Sequence, residues 1–322
     1  MEKFDMLLDS NRKDDRMNKR KLGTSELYVS EISLGCMSLG NDVEQAKSII
    51  DRALDAGINY LDTADLYGFG ENEKIVGEAI KGRRDDLIIG SKGGNNFDAE
   101  KEDWSWDPSK EHIKQACKDS LKRLGTDYID LYQLHGGTID DPIDETIEAL
   151  DELKKEGLVR EYGISSIRPN VIREYVKRSQ IASVMMQYNA LDRRPEEEIL
   201  GLLEKNEVSV LARGPLAKGM LSTKGYEKAQ EKADGGFLDY TEEEVLAITR
   251  KWKGLGSQHR TPTALALQYV LHEPTVATAV FGARTLEQLE DTLSFLESEP
   301  MTELLYSEIK DMTTPITYQK HR

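Results

Sequence analysis

Cysteine is nearly absent: Cys36 and Cys117 are the two in 322 residues. They lie far apart and outside any metal-ligand spacing, which argues against a disulfide framework or thiolate metal site and predicts free thiols in a reducing cytoplasm. No run of about 18 apolar residues exists, so no segment is suited to span a bilayer. The start lacks an apolar stretch followed by a small-residue cleavage site, so no secretion signal is read. Basic residues are in deficit, 43 Lys and Arg against 59 Asp and Glu, for a net charge of -16. That balance argues against nucleic acid or an anionic membrane as a general partner. It leaves room for a small anionic cofactor, which feels the local site more than the total charge. No GxGxxG loop follows the first strand candidate, against a Rossmann-type nucleotide site. The five histidines are scattered, with no His-x-His pair to suggest a metal-dependent hydrolase. No internal repeat or low-complexity tract stands out.

What is present is an alternation. Hydrophobic content of 38 % and a mean hydropathy of -0.57 describe a globular chain with a charged surface. Its length suits one large barrel that buries roughly three quarters of the unfolded surface. Residues 1–16 are polar and aperiodic, and a second methionine follows at Met17; the segment is read as a disordered or non-native extension, and 17–322 as one domain. Short runs rich in β-branched and aromatic residues predict eight strands, at Ile32–Leu34, Ile58–Leu61, Leu87–Ile89, Ile129–Leu134, Val159–Ile164, Ser183–Met186, Val208–Leu211 and Val276–Phe281. Helical periodicity appears between them, as at Val43–Ala56, Glu111–Leu124 and Pro142–Lys155, stopped by Gly57, Gly125 and Gly157. Eight β-then-α units without a composition break predict an α/β fold, a (β/α)8 TIM barrel. Lys21-Leu22 and Leu27-Tyr28-Val29 around Gly23-Thr24 predict a hairpin capping the barrel bottom.

Chemistry in such barrels gathers where the strands end. Asp62 follows the second strand, with Tyr67 five residues on; Lys92 follows the third and His135 the fourth. Each alone has a plainer reading: a helix-capping acid, a packed tyrosine, a solvated lysine, a hydrogen-bonded histidine. An acid, a cation and an imidazole on neighbouring strand ends point together to a site.

Asp62-x-x-x-x-Tyr67, Lys92 and His135, in this order, resemble the catalytic tetrad of the aldo-keto reductases. The resemblance runs from Met17 onward, through Arg20-Lys21-Leu22-Gly23-Thr24-Ser25, Leu34-Gly35-Cys36-Met37-Ser38-Leu39-Gly40, Asp55-Ala56-Gly57-Ile58-Asn59, Leu124-Gly125-Thr126-Asp127-Tyr128-Ile129-Asp130-Leu131 and Gln187-Tyr188-Asn189. It implies hydride from NADPH and a proton from Tyr67 to a small carbonyl substrate. A free phenol, with a pKa of roughly 10, is a weak acid at neutral pH. An ammonium from Lys92 would stabilise the phenolate, Asp62 would hold that ammonium, and His135 would orient the carbonyl oxygen. Histidine here, rather than glutamate, fits carbonyl reduction rather than the family's steroid double-bond branch.

The same resemblance implies the cofactor contacts. Ser165, Ser166 and Gln187 stand where the family binds the carboxamide, although Ser166 replaces a frequent asparagine. Gly35, Cys36 and Met37 line the first strand end, Met37 where relatives often carry tryptophan. Arg213-Gly214-Pro215-Leu216-Ala217-Lys218-Gly219 resembles the loop around the pyrophosphate, with Arg213 replacing a tyrosine that stacks on nicotinamide. Gly282, Ala283, Arg284, Gln288 and Asp291 open the last helix, where Arg284 would reach the 2′-phosphate and Asp291 the adenine; Thr292 departs from the usual asparagine.

The substrate side is less defined. Trp104 and Trp106, on a long loop after Lys92, suggest an apolar wall or plain surface packing. Ser222–Tyr240 reads as a solvated loop or a flap, and a short tail from Thr314 to Arg322 implies an open pocket. Rival readings are an NADPH-holding sensor with slow turnover and a Schiff-base aldolase using Lys92. Oligomeric state is not legible.

Overall fold

The computed structural model describes residues 17–322, so the expectation for residues 1–16 lies outside the described residues. A two-stranded antiparallel hairpin comes first, β1 (Lys19–Lys21) and β2 (Tyr28–Ser30), with Arg20 opposite Val29. The remaining strands are β3 (Ile32–Gly35), β4 (Tyr60–Asp62), β5 (Ile88–Gly93), β6 (Asn95–Asp98), β7 (Asp103–Trp106), β8 (Ile129–Leu134), β9 (Val159–Ser165), β10 (Ser183–Gln187), β11 (Ser209–Arg213) and β12 (Val276–Gly282). Eight of them close into one parallel barrel in the order β3, β4, β5, β8, β9, β10, β11, β12, with β12 pairing back to β3. The fold class expected from the alternation is therefore the one observed.

Helices cover the outside, and their ends follow local chemistry. Asp42 caps helix Val43–Asp55 by accepting from the Gln45 N–H, and Ser109 caps Lys110–Leu124 through the His112 N–H. Each satisfies one of the donors that a helix start leaves free, typically worth about 1 kcal/mol. Gly125 ends the second of these helices at φ 64°. Pro142 stands just before helix Ile143–Lys155 rather than inside its first turn.

Inside the barrel, side chains alternate along each strand. Tyr60, Ile88, Leu131, Met185, Leu211 and Val280 form a lower layer that closes on Leu22, Leu27 and Val29 of the hairpin. The hairpin docks on the N-terminal strand ends: Arg20 donates to the Val276 carbonyl and the Gly23 N–H to Ser209 Oγ. The larger core fills the space between strands and helices.

Three expectations change. Most barrel strands run past the apolar residues that announce them, so Lys92, Gln187 and Arg213 lie within strands rather than beyond them. The backbone ladder continues where side chains turn polar because those side chains face the barrel mouth. The loop after Lys92 is an ordered hairpin, β6–β7, whose Trp106 indole donates to Asp141 at 3.1 Å while Trp104 stays 54 % exposed. Ser222–Tyr240 contains a helix, Gly225–Lys232, and a bridge between Phe237 and Tyr240, so neither flap nor solvated loop describes it. The C-terminal tail packs by Tyr318, which is buried and whose N–H donates to Glu197.

Candidate active site

The site stands a turn of the pleat or two above the apolar layer on three adjacent strands. Tyr60 and Asp62 share one face of β4, and Ile88 and Lys92 one face of β5. Gly90 lies between the last two because a Cβ there would meet the Tyr60 hydroxyl at 2.2 Å. That hydroxyl donates to Asp62 Oδ1 at 3.2 Å, and burial, with Asp62 adding, keeps the phenol well above its ordinary pKa and therefore a donor.

Lys92 is fully buried, and its Nζ donates to Asp62 Oδ2 and the Thr63 carbonyl, both at 2.7 Å, and to Tyr67 Oη at 3.4 Å. Burial opposes the charge most strongly, but Asp62 and Tyr67 together outweigh it and hold the Lys92 pKa above its usual value. A buried ammonium with three donors and three oxygen partners is the satisfied arrangement such a group requires.

Tyr67 is placed by backbone, not by a regular element. The Thr63 N–H bonds to Gly90 O at 2.9 Å and the Asp65 N–H to Lys92 O at 3.1 Å, stitching its loop to β5. Gly68, Phe69 and Gly70 then run through positive φ into helix Glu71–Ala79. A left-handed phenylalanine is strained, and such strain persists only where surroundings impose it. Here Glu73 accepts from Ser91 Oγ at 2.5 Å and Arg123 Nε at 2.6 Å, while Arg123 fills the space beside Gly70.

His135 follows β8 with its N–H on Gly93 O at 2.7 Å, its ring edge-on to Tyr67 at 5.7 Å between centroids. Burial pushes its pKa down to about 3, with the cations Lys92 and Arg213 adding. The imidazole is neutral at physiological pH, and its Nδ1 has no protein partner.

A cleft of about 400 Å³ opens above these groups. Tyr67 and His135 line it together with Met37, Ser165, Ser166 and Arg213, so six of the residues singled out from the sequence meet there. Arg213 Nη1 donates to Gln187 Oε1 at 3.3 Å, bringing Gln187 to its edge. Cys36 is fully buried beneath, and burial raises its thiol pKa; the exposed neighbour, Met37, is the one that lines the cleft. Gly136, Gly137, Ile167 and Arg168 also line it and were missed. Position just past β8 and β9 was the available signal.

The remaining candidates lie on the same end of the barrel. Gly214, Ala217, Lys218 and Gly219 all have positive φ, 64°, 46°, 58° and 91°. The loop is tight: the Ala217 and Gly219 N–H groups bond to the Gly214 and Leu216 carbonyls, and the Lys218 side chain is exposed. Arg284 is exposed at the start of helix Leu286–Leu293, which Thr285 caps, and its N–H bonds to Gln288 Oε1. Gly35, Pro215, Leu216, Gly282 and Ala283 sit between these points along the strand ends. Asp291 is engaged by Thr223 and Thr263 hydroxyls at 2.6 and 2.5 Å, which ties down the chain behind the loop. The exposed cations Lys218 and Arg284 and the polar side chains of Ser165, Ser166, Gln187 and Arg213 suit the phosphates and carboxamide of a nicotinamide dinucleotide. Among the described residues no group of three His, Cys, Asp or Glu is placed to hold a metal ion, and no helix is long and apolar enough to cross a membrane.

Fold and site together define a barrel oxidoreductase. The Aldo/keto reductase family model matches residues 31–313, and the chain belongs to that family. It is 53 % identical over 307 residues to the uncharacterized oxidoreductase YqkF of Bacillus subtilis, covering 95 % of this chain and all of the relative. It is similar to the solved holo form of aldo-keto reductase AKR11C1 from Bacillus halodurans, at 52 % identity and a TM-score of 0.88, over 95 % and 99 % of the two chains. A more distant relative, at 30 % identity over 87 % of this chain and 94 % of its own, is the NADH-specific methylglyoxal reductase of Escherichia coli. Membership makes the chain an oxidoreductase of carbonyl groups in a family that uses nicotinamide cofactors.

Proposed function

We propose that this protein uses NADPH to reduce small aldehydes or ketones, with Tyr67 as the proton donor. The observation that carries the reading is Lys92 Nζ bridging Asp62 and the Tyr67 hydroxyl at the floor of the cleft. When bound, the cofactor supplies hydride to the carbonyl carbon. Tyr67 gives its proton to the carbonyl oxygen, and the Lys92 ammonium stabilises the phenolate left behind, held charged by Asp62. His135 cannot be the acid, because a pKa of about 3 leaves it neutral; it donates one N–H to the same oxygen and fixes the carbonyl. Burial of Lys92 and Asp62 keeps water from competing for these bonds.

Ser165, Ser166, Gln187 and Arg213 would hold the nicotinamide end, the Gly214–Gly219 loop and Lys218 the pyrophosphate, and Arg284 the 2′-phosphate. The E. coli relative is named for NADH, so the dinucleotide preference rests on Arg284, an exposed guanidinium without a carboxylate partner among the described residues. The test follows loss of reduced-nicotinamide absorbance with aldehydes and ketones, using each dinucleotide in turn. Tyr67→Phe should lower turnover by about 10²–10⁴-fold while leaving cofactor affinity within about twofold of wild type, read by fluorescence. Turnover near wild type in that variant refutes the role of Tyr67. Tight NADPH binding with no carbonyl reduced would leave the sensing reading in its place.

A further inference from the structure

We propose that Arg168 recognises an anionic group on the carbonyl substrate, making small oxo-carboxylates the preferred substrate class; this rests on the reductase reading above. Arg168 follows β9 and lines the same cleft as Tyr67 and His135. That lining holds two guanidinium groups and no carboxylate. Asp62, beneath the cleft, is engaged with Lys92, and Asp141, beside Gly137, with Trp106 and the Thr138 N–H and hydroxyl.

In a chain of net charge -16 most arginines hold a carboxylate, and Arg284, exposed outside the cleft lining, is another exception. Arg20, Arg52, Arg83, Arg84, Arg123 and Arg178, for instance, each hold a carboxylate. Arg250 and Arg260 do not, but Tyr226 and two backbone carbonyls take up their guanidinium groups. Arg213 is turned to Gln187. Arg168 gives Nη1 to the Gly137 carbonyl, and among the described residues nothing accepts from Nε or Nη2. One edge of the guanidinium is thereby anchored to the loop that follows His135, and the other keeps the paired donors that match a carboxylate. Met37 and Ile167, both exposed, flank the cleft with apolar surface for the short carbon chain between carbonyl and acid.

Two matched aldehydes test this: 4-oxobutanoate and its neutral methyl ester. Wild type should favour the acid in kcat/KM despite the greater electrophilicity of the ester, and rising salt should erode that preference. Arg168→Gln should lower kcat/KM for the acid by about 10- to 100-fold, mainly through KM, as expected for a lost charge-assisted pair. The ester should change by no more than about threefold in that variant, and Arg168→Lys should recover part of the acid's loss. An equal loss for both aldehydes overturns the proposal and leaves Arg168 as a brace for Gly137. Wild type that favours the ester at every salt concentration overturns it as well. If neither these aldehydes nor any other aldehyde or ketone is turned over with either nicotinamide dinucleotide, the reductase reading itself fails, and this inference with it.

Discussion

The two ends of the barrel are built from the same strands and have opposite interiors. At the lower end, Tyr60, Ile88, Leu131, Met185 and Leu211 pack with Leu22, Leu27 and Val29 of the hairpin into an apolar layer. At the upper end, the same strands carry Asp62, Lys92, Gln187 and Arg213 into a polar mouth, with His135 just beyond. The two layers are a few residues apart on each strand. The difference teaches how a buried ion pair is tolerated. The lower layer supplies the hydrophobic burial, so Lys92 and Asp62 can be arranged for chemistry instead of stability, in a setting where ion pairs add little net stability.

Three substitutions would break or sharpen this contrast. Leu22→Ala removes a fully buried side chain from the plug and should cost about 2–5 kcal/mol of stability, read by thermal or denaturant unfolding. Below its melting temperature it should keep kcat/KM within about twofold of wild type, since transition-state groups stand above it. A large loss of activity without loss of stability would show that the ends are not separate. At the upper end, Arg284→Ala should weaken NADPH by about tenfold or more, the scale of one charge-assisted phosphate contact, and leave NADH nearly unchanged. Equal weakening of both dinucleotides would remove the 2′-phosphate contact.

The smallest effect is expected at Asp65, buried under the Tyr67 loop with Oδ1 unpartnered. Burial, with Glu73 adding, pushes its pKa up to about 8 from 3.8. The sign follows from linkage: the stability that goes with a neutral carboxyl is full below about pH 4 and is lost as pH rises through 8. Asp65→Asn should therefore gain on wild type in melting temperature between pH 6 and 9, by a shift on the order of 2 °C or more. A difference that stays constant with pH would place the Asp65 titration outside that window.

The eight strands, the helices between them and the hairpin are all legible because apolar periodicity reports which faces are covered. The proposed tetrad is legible because chemically distinct residues stand at three successive strand ends, with Tyr67 five residues past the first of them. Strand ends were placed short because the signal used, apolar character, stops where side chains meet the mouth, while hydrogen bonding between strands does not. Arg168, Gly136 and Gly137 carry no pattern of their own. Tyr60 reads as an ordinary strand aromatic until Gly90, on the neighbouring strand, is seen to make room for its hydroxyl.

The sequence by itself determined the barrel, the family and the residues proposed to react, since each depends on residue type and spacing along one chain. Tertiary structure decided which acid serves Lys92, why His135 stays neutral, and which cleft arginine keeps one edge of its guanidinium free. Those properties depend on burial and on distances between residues far apart in the chain, and neither quantity exists until the barrel has closed.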